Sequence, residues 1–320
     1  MRSVSAARSR RSPARTGPPG GVRTLLRTED GVRVEAVYTP CAADAAGGDE
    51  AGARTDPAGG GGVDGDVAER AVIVVAHGFT GSVDRPAVRR AAEVFARSAA
   101  VVTFTFRGHG GSGGRSTVGD REVLDLAAAV RWARSFGHRH VVTVGFSMGG
   151  SVVVRHAALY RDRSDARTDA VVSVSGPARW YYRGTAPMRR LNWVVTRRVG
   201  RVVGRLGLHT RIYQHDWDPV PLPPVDAVPM IAPVPLLVVH GDRDPYFPLD
   251  HPRSLAAAAP EGAAELWIEP GMGHAENAAG EPLLARIAAW ASAHAPGRVE
   301  APVEVSGDAA PVEGRAEGRA

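Results

Sequence analysis

Short, continuous apolar runs alternate along this chain with longer stretches whose apolar residues recur at helical spacing. Val72–Ala76 reads VIVVA, Val101–Phe106 VVTFTF, Val141–Val144 VVTV, Val171–Val174 VVSV and Leu236–His240 LLVVH. Runs this short and this apolar predict strands covered on both faces. Glu265–Ile268 adds a further strand. Helices are predicted over Pro86–Ala99, Val118–Phe136, Met148–Tyr160, Asp250–Ala259 and Pro282–Ala295. In the second of these, Val123, Leu126, Val130 and Ala133 fall near helical spacing. Residues 22–38 (VRTLLRTEDGVRVEAVY) hold two alternating runs around Glu29-Asp30-Gly31 and predict a β-hairpin. Strand–helix alternation implies an α/β fold, a mainly parallel central sheet with helices on both faces.

The rhythm breaks over residues 177–233, too long for a plain crossover and expected to be an inserted cap over the carboxyl edge of the sheet. Residues 42–68, mostly Ala, Gly and Asp, are expected to be a flexible insertion. Residues 1–21 and 296–320 are expected to be disordered tails, the first of them basic. The domain itself is expected over 22–295.

Composition changes this picture little. The net charge is +5, and all 39 basic residues are arginine. An excess spread along the chain is weak grounds for a nucleic-acid partner, and none is expected. One cysteine, Cys41, excludes an internal disulfide. No apolar run reaches the roughly 20 residues that span a bilayer. The Arg10-Arg11 pair is followed by Ser12, Pro13, Ala14 and Arg15 rather than an apolar stretch, so the expected compartment is the cytoplasm.

The chemistry gathers where strands end. In VVTVGFSMGG, Ser147 lies between a strand and a helix with glycine at 145 and 149, the G-x-S-x-G pattern. Such a turn lifts the hydroxyl above the sheet, where open α/β folds bind ligands. A serine nucleophile needs a base, and the base an orienting carboxylate. Asp242 and Asp244 follow the strand at Leu236, and His274 follows the strand at Glu265. An oxyanion needs two N–H donors. The Met148 amide opens the helix, and Gly78 lets the loop after VIVVA turn so that the Phe79 amide supplies the second. His77 and His240 are read as structural or pocket-lining, and His109 as positioning the glycine-rich loop that carries it.

In this order HGFTGS, FRGHGGSGG, GFSMGG, HGDRDPYFP and GMGHAE resemble the serine α/β-hydrolase family. The nearest resemblance is to bacterial carboxylesterases, monoacylglycerol-lipase-like and feruloyl-esterase-like enzymes. It runs from about Val22 to Ala295 and is weakest in 42–68 and in the cap. The resemblance implies an eight-stranded sheet, a Ser147–Asp244–His274 triad with Asp244 favoured over Asp242, and no metal or organic cofactor. One departure is Phe106, where the family often has Asp before the arginine. The implied activity is hydrolysis of small or lipid-like carboxylic esters through an acyl-enzyme. Thioester hydrolysis, aminopeptidase or perhydrolase chemistry on the same triad are alternatives, as is a non-catalytic, ligand-binding or membrane-associated homologue.

Residues 177–215 hold nine arginines and no acidic residue. Leu191, Val194, Val195, Val199, Val202, Val203 and Leu206 form one stripe if the segment is a single helix, with Arg190, Arg197, Arg201 and Arg205 largely off it. The stripe is expected to pack on the core with its arginines solvated. The alternative is contact with an anionic membrane or an anionic substrate. Trp180, Tyr181 and Trp193 are the expected pocket-lining residues of the cap. No obligate protein partner is expected.

Overall fold

The computed structural model describes residues 21–43 and 71–294. The tails and the 42–68 insertion fall outside the described residues, apart from positions 21, 42 and 43. Eight strands form one sheet: β1 (Val22–Arg27), β2 (Arg33–Thr39), β3 (Val72–Ala76), β4 (Ala100–Phe104), β5 (Val141–Phe146), β6 (Ala170–Val174), β7 (Leu236–Gly241) and β8 (Ala264–Glu269). Their order is β1-β2-β4-β3-β5-β6-β7-β8. β1 pairs antiparallel with β2, and β2 antiparallel with β4. Every other pairing is parallel. The hairpin turns at Gly31, whose φ of 81° suits glycine.

The helices are α1 (Pro86–Phe95), α2 (Glu122–Ser135), α3 (Met148–Leu159), α4 (Ala186–Thr196), α5 (Arg198–Gly207), α6 (Pro224–Ala227), α7 (Asp250–Ala258), α8 (Ala275–Ala278) and α9 (Glu281–His294). The continuous apolar runs have a simple cause, which is burial on both sides. Val72, Val74 and Ala76 enter a core shared with α2 and α3, while Ile73 and Val75 enter a second core shared with α1 and α9. Leu236 and Val238 divide from Leu237 and Val239 in the same way. Burying each such valine, leucine or isoleucine contributes about 1.5–3 kcal/mol.

The cap departs from the sequence expectation. The predicted single helix is two, α4 and α5, with Arg197 extended between them (φ −92°, ψ 141°). β-Branched Val194, Val195 and Thr196 weaken the end of α4. Arg201 Nη1 then donates to the Val195 and Thr196 carbonyls, 3.3 and 2.9 Å away, closing that end. Gly200 lets α5 cross tightly, since a Cβ there would stand 2.5 Å from the Trp193 carbonyl oxygen. Broken in this way, the stripe does not all pack inward. Val199, Val202, Val203 and Leu206 are exposed, Leu206 at 73%. At the other end of the insertion, Ala227, Val228 and Ile231 belong to the main core.

Candidate active site

The glycines around Ser147 are there for space. A Cβ at Gly145 would meet the Gly149 carbonyl oxygen at 2.1 Å, and one at Gly149 would meet the Ala76 carbonyl oxygen at 2.2 Å. Helix α3 thus approaches strands β5 and β3 more closely than any larger residue permits. Between them Ser147 is held at φ 51°, ψ −115°, a strained conformation that costs on the order of 1–3 kcal/mol. Its own N–H donates to the Val174 carbonyl at 2.8 Å.

Loops at the carboxyl ends of β7 and β8 bring the other two groups to this turn. His274 Nε2 lies 2.8 Å from Ser147 Oγ, and His274 Nδ1 lies 2.7 Å from Asp244 Oδ2. Asp244 Oδ1 accepts the Tyr246 and Phe247 amides at 2.8 and 3.1 Å. Burial opposes charge on Asp244. The hydrogen bond and charge of His274, with those two amides, outweigh it and hold its pKa below the ordinary carboxylate value. An ionised Asp244 makes Nδ1 the donor and leaves Nε2 to accept the serine proton. Asp242 is used elsewhere: its Oδ1 accepts the Gly271 N–H at 2.6 Å. The structure therefore brings Asp244, not Asp242, to the histidine.

The Phe79 and Met148 amides carry no acceptor among the described residues. Two side chains whose part in this was not read from the sequence set the first of them. His77 Nδ1 donates to the Gly78 carbonyl at 2.6 Å, and Glu276 Oε1 accepts the Gly78 N–H at 3.0 Å. A planar trans peptide held by its carbonyl at Gly78 presents the Phe79 N–H on the opposite side. His77 Nε2 accepts the Phe106 amide at 3.0 Å. Burial, then the neighbouring His109 and Arg85 charges, pushes the His77 pKa down to about 3, so its ring is neutral. The Phe106-Arg107 loop is tied down in turn by Arg107, which bonds Asp125 and Asp30.

Above the turn lies a cavity of about 240 Å³ that takes in Phe79, Ser147 and Met148 and is walled by cap residues. Trp180 and Tyr181 line it, joined by Trp217. The Trp180 and Trp217 rings stand 5.2 Å apart, and their indole N–H groups donate to the Pro221 and Thr117 carbonyls. Trp193 is a correction. It lies outside the lining and is 46% exposed. Its position on α4 turns it away, whereas Leu191 and Val195 of that helix face inward. Among the described residues no three His, Cys, Asp or Glu side chains converge as a metal site would require.

A family model described as the alpha/beta hydrolase fold matches residues 71–194. With the doubly covered sheet and the strand–serine–helix turn, the chain has the α/β-hydrolase fold and is similar to esterases and lipases of that fold. It is 26% identical over 249 residues to a monoacylglycerol lipase of Mycolicibacterium smegmatis, a match covering 65% of this chain and 82% of that one. It is 29% identical over 174 residues to the esterase LipC of Mycobacterium tuberculosis, covering 48% of this chain and 40% of that one. Among solved structures, an esterase from Pyrococcus furiosus superposes with a TM-score of 0.61 at 20% identity, over 88% of this chain and 96% of that one. Est1E from Butyrivibrio proteoclasticus, solved with ferulic acid bound, has a TM-score of 0.54 at 17% identity, over 83% and 96%.

Proposed function

We propose that this chain is a serine hydrolase of carboxylic esters, with Ser147 as nucleophile, His274 as general base and acid, and Asp244 as the group that orients and charge-stabilises the imidazole. The observation that carries this reading is the hydrogen-bonded line from Ser147 through His274 to Asp244 at the floor of an apolar cavity. As Ser147 Oγ attacks the acyl carbon, its proton passes to His274 Nε2. The Phe79 and Met148 amides hold the oxyanion, helped by the positive end of α3. Collapse of the intermediate expels the alcohol with the proton from His274. Water, deprotonated by the same imidazole, then releases the acid and restores Ser147. The names of the lipase and esterase relatives support the ester as substrate. The apolar lining, with Val118, Leu191, Val195 and Ile212, favours a medium or long acyl chain. The assembled triad favours this reading over a non-catalytic homologue. A free, buried Cys41 supports a cytoplasmic setting.

The test is turnover of p-nitrophenyl esters from acetate to palmitate by wild type and Ser147→Ala. A peak at one chain length, lost in the variant, supports the reading. Full activity in the variant contradicts it.

A second reading concerns α5. Its Val199, Val202, Val203 and Leu206 ridge faces solvent beside Arg198 and Arg205, the pattern of a helix that rests on an anionic membrane. No helix among the described residues is long and apolar enough to cross one. Co-sedimentation with anionic vesicles, lost in Val199→Asp/Leu206→Asp, is the expected result. Equal sedimentation of both proteins would contradict it.

A further inference from the structure

Behind the wall of the acyl cavity lies a second hollow, of about 380 Å³, lined by Arg115, Arg198, Arg201, Arg205 and Arg211 with Val202, Ile212 and Gln214. Three of its arginines come from one flank of α5, at spacings that stack them on one side of the helix. The other two flank the short bridge between Ser116 and Ile212, whose backbone bonds run from Ser116 N–H to the Arg211 carbonyl and from Tyr213 N–H to the Ser116 carbonyl. Ile212 lines both hollows, so they are neighbours divided by this bridge.

None of these five arginines forms an ion pair among the described residues. Elsewhere Arg107, Arg131, Arg155 and Arg286 each have a carboxylate. Two of the five are nevertheless held in place. Arg201 gives one guanidinium nitrogen to the end of α4, and Arg211 Nη2 donates to the Ser112 carbonyl. Arg211 Nε is buried without an acceptor among the described residues, as are the Nε atoms of Arg90, Arg134 and Arg155. Like charges gathered this closely repel, and no carboxylate among the described residues pairs with them.

We propose that this hollow is a binding site for a small phosphate-bearing ligand, a phosphate monoester or a diphosphate, distinct from the ester site. Guanidinium groups converging from two walls suit a tetrahedral polyanion, whose oxygens accept paired N–H donors from several arginines at once. A single carboxylate has too few acceptors for such a set. Arg201 and Arg211, pre-positioned by carbonyls, form the rigid floor. Arg198 and Arg205, exposed on α5, close over the ligand.

The experiment is calorimetric titration of inorganic pyrophosphate and of glycerol phosphate into the full chain at low salt. At least one of the two binds at one site. Arg198→Gln/Arg205→Gln weakens it by about tenfold or more, whereas Arg89→Gln/Arg139→Gln, which removes the same charge from another surface, leaves it intact. Should the first variant fail to fold, phenylglyoxal modification of wild type provides the reading. Pyrophosphate or glycerol phosphate then slows modification at Arg198 and Arg205 but not at Arg89. Absence of binding by both probes, or equal loss in both double variants, would overturn the proposal. Binding only to phosphatidic-acid vesicles, with neither soluble phosphate bound, would also overturn it in favour of a membrane-facing surface.

Discussion

The Glu276 carboxylate accepts the Gly78 N–H at 3.0 Å across 198 positions of sequence. One partner precedes Phe79, the expected oxyanion donor, and the other follows His274 by two residues. A single hydrogen bond therefore holds the loop of one half of the site against the loop of the other. Glu276→Ala is expected to lower kcat by about 10²-fold or more, in the range for a lost oxyanion donor, with little change in KM. Glu276→Gln keeps an acceptor oxygen and should recover most of the rate. Steady-state kinetics on one p-nitrophenyl ester separates the two.

Packing at the serine turn makes its own prediction. Gly145→Ala and Gly149→Ala each force a methyl group to within about 2 Å of backbone oxygen, and backbone has no rotamer to yield. Each is expected to destabilise the fold by about 3 kcal/mol or more. The measurement is the urea midpoint of each variant beside Ser147→Ala, which should stay near wild type.

The cap tryptophans should divide by function. Trp180→Ala or Trp217→Ala opens the wall of the cavity and should shift the preferred acyl length, with kcat/KM for the best wild-type ester falling about tenfold or more. Trp193→Ala, on the outer side of α4, should leave the chain-length profile unchanged. An ester series run on all three variants checks this.

Acid should destabilise the protein through its buried histidines. His156 stacks on Tyr160 at 4.7 Å, and neither ring nitrogen has a hydrogen-bond partner among the described residues. Burial, then the charge of Arg131, pushes its pKa down to about 3, as burial does first for His77. As pH falls below about 6.5 the unfolded chain takes up these protons first, so stability is full above that value and declines toward pH 3. Each such histidine costs on the order of 1.4 kcal/mol per pH unit in that window. His156→Phe should reduce the dependence of unfolding free energy on pH by about one proton, read from urea melts between pH 4 and 6.

Much of this architecture is legible from residues alone, for reasons the structure makes plain. Val72–Ala76 reads as a buried strand because both its faces are covered. Ser147, His274 and the pair Asp242 and Asp244 stand out as candidates because a strand end followed by a tight turn leaves a recognisable trace of glycine and polar residues, whereas the choice of Asp244 over Asp242 rests on the family resemblance. The cap is harder. Helical spacing from Leu191 to Leu206 runs unbroken through Arg197, and the break depends on the crossing at Gly200 and on Arg201 reaching back to α4. Nothing in a periodic pattern reports such contacts. Trp193 and Trp217 are equally bulky in sequence, and only the course of the backbone sends one to solvent and the other into the cavity. The Glu276–Gly78 bond is invisible for a similar reason, since neither spacing nor local propensity links residues so far apart.

The most direct test of the central claim is covalent labelling of the whole protein by a fluorophosphonate, read by intact mass and then by peptide mapping. The account predicts one adduct per chain, carried on Ser147, absent in Ser147→Ala and formed at least about 10²-fold more slowly in His274→Ala. Ester turnover by a wild-type protein that takes no adduct at Ser147, or takes it at another residue, would contradict the account.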